Sequence, residues 1–309
     1  MTPAAFRHAL ILTGPTGSGK SRLALTLAER LGAEIVSMDS MALYRHMDVG
    51  TAKPSAEDRR RVPHHLIDVL EPWEPASVAW WLARAADCCR DVEARGRRAL
   101  FVGGTPLYLK ALLHGLFDGP PADEALRRRL TDEAERDGRE ALHRRLAAVD
   151  PASAARLHPN DLRRTVRALE VWELTGRPIS AWQTQWAAAP DLPPDHCLCL
   201  DLPRPELYRR IDARVEAMIA GGWLDEARAL RALGRPLSRE AAQALGYREL
   251  FDHLDGRATL EETVALIQTR SRQFAKRQLT WFRHLGGCRM VAPELTFSLW
   301  QSRMTEEEG

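Results

Sequence analysis

The sequence predicts an α/β fold, a mostly parallel P-loop NTPase-like sheet flanked by helices, with an inserted all-helical domain. Three observations carry this. Gly14-Pro15-Thr16-Gly17-Ser18-Gly19-Lys20-Ser21 has the phosphate-loop pattern G-x-x-x-x-G-K-S, set between an apolar run and a helical pattern. Short β-prone runs bounded by Gly, Pro or Asp alternate with helical stretches, as in a sheet covered on both faces. A charged, helix-periodic segment separates the third run from the fourth.

In chain order, residues 9–12 supply the first strand. The glycines let backbone N–H groups turn inward, and a helix from Ser21 to about Leu31 aims its positive dipole end at the same point. A phosphate or diphosphate belongs there, with Lys20 reaching its outer oxygens and the Ser21 hydroxyl holding Mg²⁺. The alternative, a glycine-rich turn that matches by chance, does not account for the flanking strand and helix.

Residues 34–37, 99–102, 196–201 and 288–291 read as four further strands. Chemistry in such sheets collects at the carboxyl ends of the strands, here Met38-Asp39-Ser40 and Gly103-Gly104-Thr105. An ordinary P-loop NTPase ends a strand in an Asp that serves the Mg²⁺ shell. The third strand instead ends in two glycines and a hydroxyl, which leaves Asp39 as the carboxylate best placed to face the phosphate. Asp39 can steer metal-bound water, take a proton from an attacking nucleophile, or simply form a turn.

The inserted segment is bracketed by Gly119-Pro120-Pro121 and by the proline-rich residues 190–194. Its helices are expected over 123–137, 139–149 and 160–175, the last with Asn160 as N-cap and Gly176 past its end. This divides the chain into a core of 1–120 and 195–309 and an insertion of 121–194, whose brackets suit hinges and rigid packing equally. Arg163, Arg164 and Arg167 form a basic cluster within the insertion.

From Thr263 to Ala292 no acid occurs, while six basic residues do. Val264, Ile267, Phe274, Trp281 and Leu285 recur at helical spacing as an inward stripe, leaving Arg272, Lys276 and Arg283 on another face. Contact with a phosphate backbone and a plain solvated surface both fit this pattern.

Composition narrows the classes. A net charge of +2 places any nucleic-acid role in local clusters, and no window of 18 apolar residues occurs. A soluble, cytoplasmic protein without membrane or signal segment is expected. Five cysteines without C-x-x-C spacing read as buried thiols, and His64-His65 lacks partners for a metal site. Only four lysines stand against 40 arginines, which marks Lys20, Lys53 and Lys276 as positions where a compact ammonium serves a phosphate, or as chance surface residues.

Beyond the P-loop, six blocks resemble one family in its own order: DSMALYRHMDVGTAKP at 39–54, HHLID at 64–68, GGTPLY at 103–108, HPNDLRRTVRALEV at 158–171, LGYRE at 245–249 and FAKRQLTWFR at 274–283. The chain resembles the bacterial tRNA dimethylallyltransferases, which transfer a prenyl group from dimethylallyl diphosphate to N6 of the adenine next to the anticodon. The resemblance implies that Gly14, Thr16, Gly17, Ser18, Gly19, Lys20, Ser21 and Arg214 bind the diphosphate with Mg²⁺ at Ser21. It implies Asp39 as general base and Thr105 as a hydroxyl near the bridging oxygen. It further implies contacts from Ser40, Met41, Ala42, Lys53, Arg163, Arg164, Arg167, Gly246, Tyr247, Arg248, Lys276 and Arg283 to the anticodon stem-loop of tRNA, by a monomer. Ala42 and Arg163 stand where the family usually carries Gln, and Pro106 fills a usually small or flexible position. A kinase using ATP on the same loop, and an RNA-binding protein with a vestigial loop, are the rival readings.

Overall fold

The computed structural model describes residues 3–117, 119–183 and 195–307. They fall into two compact units, one drawn from 3–113 and 195–307, the other from 114–183. The bracket at 190–194 lies outside the described residues.

The larger unit is built on six parallel strands in the order β3-β2-β4-β1-β5-β6. These are β1 Leu10–Thr13, β2 Ala33–Ser37, β3 His64–His65, β4 Arg98–Gly103, β5 Cys197–Leu200 and β6 Arg289–Val291. Five coincide with the apolar runs; β3 does not, because two histidines carry no apolar pattern. Pairing makes that strand: Ile35 lies against His64, Val36 against His65, and Ile35 N–H donates to Pro63 O. Glu34, buried beside it, accepts from Arg95 and meets His65 Nε2 at 2.7 Å.

Around the sheet stand α1 Lys20–Leu31, α2 Ala56–Arg61, α3 Val78–Ala94 and α4 Pro106–His114. The smaller unit contributes α5 Glu124–Asp137, α6 Arg139–Val149, α7 Pro151–Arg156, α8 Leu162–Thr175 and α9 Ile179–Trp182. The chain then adds α10 Arg204–Ala220, α11 Trp223–Ala232, α12 Tyr247–Leu254, α13 Leu260–Arg283 and α14 Thr296–Glu307 to the larger unit.

One core gathers Leu10, Leu12, Ile35, Leu100 and Leu198 of the sheet with Leu27 of α1 and Trp300 of α14. Elsewhere, Trp81 of α3 stacks on Tyr108 at 4.2 Å and meets Phe101 of β4 edge-on at 6.2 Å. Its Nε1 donates to Ser37 O at 3.1 Å. That bond fixes the carboxyl end of β2, two residues before Asp39.

The smaller unit packs Leu130, Leu142, Leu146, Val166 and Leu169 into its own core. Two details differ from the sequence reading. Asp161, not Asn160, caps α8: its side chain accepts the Arg164 N–H at 3.2 Å, while Asn160 N–H is turned onto His158 Nδ1. The six-residue α7 is too short to show periodicity and is set by its cap, Asp150, which accepts Ser153 N–H at 2.9 Å.

Candidate active site

The loop 14–21 wraps between β1 and α1, as its spacing predicts. Gly17 and Gly19 adopt φ of 80° and 86°, the left-handed region that glycine enters without strain. No acid lies in the first turn of α1 and no side chain caps it, so no protein anion there competes for its positive end. Ser18 Oγ is buried beside the loop without a protein partner. Lys20 Nζ rests 3.3 Å from Pro15 O, and Arg214 Nη1 lies 3.4 Å from Thr16 Oγ1. Burial, and then the like charge of Arg214, push the Lys20 ammonium down to about 8, with Asp39 opposing. Burial also lowers Arg214, again against Asp39. Two desolvated cations at one loop are relieved by a multiply charged anion.

Asp39 stands where β2 ends. Its Oδ1 accepts Met41 N–H at 2.9 Å, which fixes the carboxylate plane. Ser40 N–H donates to Thr105 Oγ1 at 3.0 Å, and Thr105 N–H donates to Met38 O at 3.3 Å. The ends of β2 and β4 are thereby laced together, and a Cβ on Gly103 would meet Met38 O at 2.1 Å. Only glycine permits that approach.

Two cavities meet at this point. The smaller, about 240 Å³, is lined by Lys20, Ser21 and Asp39, with Leu25, Ile35 and Ile67 as apolar wall. The larger, about 730 Å³, is lined by Ser40, Met41, Thr105, Arg248, Arg270 and Arg277. Thr16, Asp39, Gly104, Arg214, Phe274 and Gln278 line both. Asp39 thus borders a cation-bearing anion pocket on one side and an arginine-lined chamber on the other.

The helix α13 supplies two of those shared residues, in a register the sequence reading misses. Its buried stripe is Thr263, Ile267, Ser271, Ala275, Gln278, Leu279 and Phe282, and Phe274 is 36% exposed. Small and polar side chains replace large apolar ones because α13 closes against α10 through Ala275 and Leu279, and reaches the P-loop through Gln278. Gln278, 3% exposed, accepts Thr16 N–H at 2.9 Å and donates to Gly104 O at 2.6 Å. Of the basic face, Arg270 pairs with Glu249 and Arg272 with Asp212. Lys276 is exposed and unpaired among the described residues, and Arg283 lies 3.5 Å from Asp201.

Several residues expected to touch RNA are spent internally. Lys53 is 2% exposed, with Nζ on Tyr44 O, Asp48 Oδ1 and Asp68 Oδ1, so it has no ammonium to offer a phosphate. Tyr247 is buried and donates to Glu226 Oε1 at 2.7 Å. Gly246 leaves room for Trp223, whose ring a Cβ there would meet at 2.1 Å. Ala42 is buried and borders the smaller cavity, not the larger. In the smaller unit, Arg167 lies over Phe117 and bonds Pro120 O and the fully buried Glu170, which Arg127 also holds. Arg164 pairs with Asp161, and Arg163 is exposed and unpaired among the described residues.

The sequence also leaves the Glu226 clamp unseen. This α11 carboxylate accepts the N–H groups of Asp48, Val49 and Gly50 at 2.5, 2.7 and 3.0 Å. An acid on an amphipathic helix reads as solvated, and nothing in its spacing points to a turn 176 residues earlier.

The donor set suits one kind of metal. Among the described residues no three His, Cys, Asp or Glu side chains converge. Ser21 and Asp39 share the smaller cavity, and one hydroxyl with one carboxylate is too sparse for zinc. It fits Mg²⁺, which keeps waters and shares phosphate oxygens. His64 and His65 face Val62 O and Glu34, and all five cysteines are free thiols.

Known proteins resemble this chain over most of its length. A family model described as IPP transferase matches residues 42–285, and one described as isopentenyl transferase matches 7–66. A tRNA dimethylallyltransferase of Geobacter metallireducens is 52% identical over 276 residues, 89% of each chain. One of Symbiobacterium thermophilum is 51% identical over 299 residues, 96% of this chain and 92% of that protein. The solved tRNA isopentenylpyrophosphate transferase of Bacillus halodurans aligns with a TM-score of 0.69 at 37% identity, covering 98% of this chain and all of that one. A eukaryotic dimethylallyltransferase acting on tRNA aligns with a TM-score of 0.76 at 27% identity, covering 97% of this chain and 77% of its own. With a family model matched over residues 42–285 and relatives at half identity over nearly its whole length, the chain belongs to the IPP transferase family.

Proposed function

We propose that this chain transfers a dimethylallyl group from dimethylallyl diphosphate to N6 of the adenine at position 37 of tRNA, next to the anticodon, giving N6-dimethylallyladenosine and diphosphate. The observation that carries this is the position of Asp39 in the wall shared by the two cavities. A donor on the loop side and a base on the arginine side then meet at one carboxylate.

The amides of Gly17, Gly19, Lys20 and Ser21, with Ser18 Oγ, the Lys20 ammonium and Arg214, hold the diphosphate, and Leu25, Ile35 and Ile67 shelter the prenyl carbons. Ser21 would hold Mg²⁺, which when bound would neutralise part of the diphosphate charge. As the C1–O bond breaks, its electron pair passes to the diphosphate, where Lys20 and Arg214 stabilise the growing charge. The adenine N6 lone pair forms the new bond to C1, and the N6 proton passes to Asp39. Thr105, whose oxygen accepts from Ser40 N–H and whose hydroxyl donates to Ser40 Oγ at 3.4 Å, turns that proton to the bridging oxygen when the donor is bound.

The adenine must leave its stack, at a cost of a few kcal/mol. Arg248 and Arg277 at the larger cavity, with Lys276 and Arg283 along α13, offset it through contacts with the anticodon stem-loop. One chain carries every group named, so a monomer suffices. The test is incubation with labelled dimethylallyl diphosphate and unmodified tRNA. Label on position 37 supports the reading; phosphate transfer from ATP with unlabelled RNA overturns it in favour of a kinase.

A further inference from the structure

We propose that Gln278 is the positioning residue that sets the distance between the departing diphosphate and the groups that act on the acceptor base; this rests on the prenyl-transfer reading above. The side chain is buried in the wall shared by both cavities. Its amide reaches two loops that are remote in sequence, Thr16 at a separation of 262 residues and Gly104 at 174. The two bonds are complementary: Thr16 N–H requires an acceptor and Gly104 C=O requires a donor, and an amide provides one of each.

The path continues to the reacting groups. Gly104 precedes Thr105, whose Oγ1 accepts Ser40 N–H and whose N–H donates to Met38 O. Met38 and Ser40 flank Asp39. The phosphate loop, Gln278, the Gly104 turn and the Asp39 turn are therefore linked in series by hydrogen bonds of 2.6 to 3.3 Å. The fit is close, since a Cβ on Gly104 would lie 2.7 Å from Gln278 Nε2 and 3.4 Å from Lys20 Nζ. Transfer of carbon from oxygen to nitrogen depends on the spacing of donor and acceptor, and a misplacement of about 1 Å costs on the order of 10²-fold in rate. Gln278 acts on the reacting groups through the loops it joins, so its loss is expected to lower turnover more than diphosphate affinity.

The experiment uses the full-length protein with Gln278→Met, which fills the space but bonds neither loop, and Gln278→Glu. Steady-state transfer to tRNA is measured beside calorimetric titration with inorganic diphosphate and Mg²⁺, and thermal melting checks folding. Gln278→Met is expected to lower kcat by roughly 10- to 100-fold while diphosphate affinity stays within about threefold, well under the tenfold that 1.4 kcal/mol represents. Gln278→Glu keeps both bonds only when protonated, because an ionised carboxylate can accept from Thr16 N–H but cannot donate to Gly104 O. Its turnover relative to wild type is expected to fall as pH rises, while the ratio for Gln278→Met stays flat. Wild-type kcat in the Met variant overturns the proposal. So does a loss of diphosphate affinity in step with kcat, which marks Gln278 as scaffold for the loop alone. Should Gln278→Met fail to fold, a pH-independent ratio for Gln278→Glu overturns it as well. A wild-type protein that labels no RNA overturns the parent reading before any variant is compared.

Discussion

Lys20 and Arg214 stand at the same phosphate loop with like charge, and burial, followed by the Arg214 charge, lowers the Lys20 pKa from 10.5 to about 8. The unfolded chain therefore binds the Lys20 proton more tightly than the folded one between about pH 8 and 10.5. Below pH 8 the folded state carries a buried ammonium without its anion, and this penalty is relieved as pH rises through the window. Lys20→Met is thus expected to be more stable than wild type at pH 7, by on the order of 2 kcal/mol, with the gap closing by pH 10. Denaturant unfolding of both ligand-free proteins at the two pH values measures this; a gap that widens with pH contradicts it. The same variant should lose diphosphate binding.

Asp39→Asn keeps an oxygen for Met41 N–H and so keeps the turn, but removes the proton acceptor. Turnover should fall by roughly 10²–10⁴, with tRNA affinity changed less than about threefold. Single-turnover transfer and filter binding separate the two. Normal turnover with lost RNA binding would assign Asp39 to recognition instead.

Lys53 and Lys276 should behave oppositely. Lys53→Ala removes the donor to Tyr44 O, while Asp68 keeps Arg59 and Asp48 faces solvent, and should destabilise the fold by about 1–3 kcal/mol, without changing the salt slope of tRNA binding. Lys276→Ala should leave stability within about 0.5 kcal/mol and reduce that slope by about one. Melting curves and binding isotherms over a salt series decide both; an unchanged slope for Lys276→Ala removes it from the RNA interface.

Gly246→Ala should cost about 2 kcal/mol or more, because φ is 97° and the new methyl would lie 2.1 Å from the Trp223 ring. Chemical denaturation monitored by tryptophan fluorescence tests this. A neutral substitution would mean that Trp223 can swing away.

Patterns that are local in sequence were legible: the phosphate loop, five apolar strands and the three longer helices of the insertion follow from spacing, whereas the short α7 and α9 and the Asp161 cap of α8 did not. The strand at His64–His65 was not, because only its partner β2 makes it a strand. The α13 register was misread for a related reason. Hydrophobic periodicity assigns Phe274 inward, yet the interior contact that matters is the amide of Gln278, satisfied by loops far away in sequence. At the site, Asp39 and Thr105 were identified from strand ends and resemblance, but charge alone cannot distinguish Lys53, buried among carboxylates, from Lys276, open to solvent.

The Glu226 clamp bears on ligand discrimination. Three successive amides at Asp48 to Gly50 converge much as those of a phosphate loop do, and would form a second trap for pyrophosphate or for a nucleotide's oxygens. By engaging those amides with a carboxylate of its own, the molecule withholds them from any phosphate oxygen that reaches the Asp48–Gly50 turn.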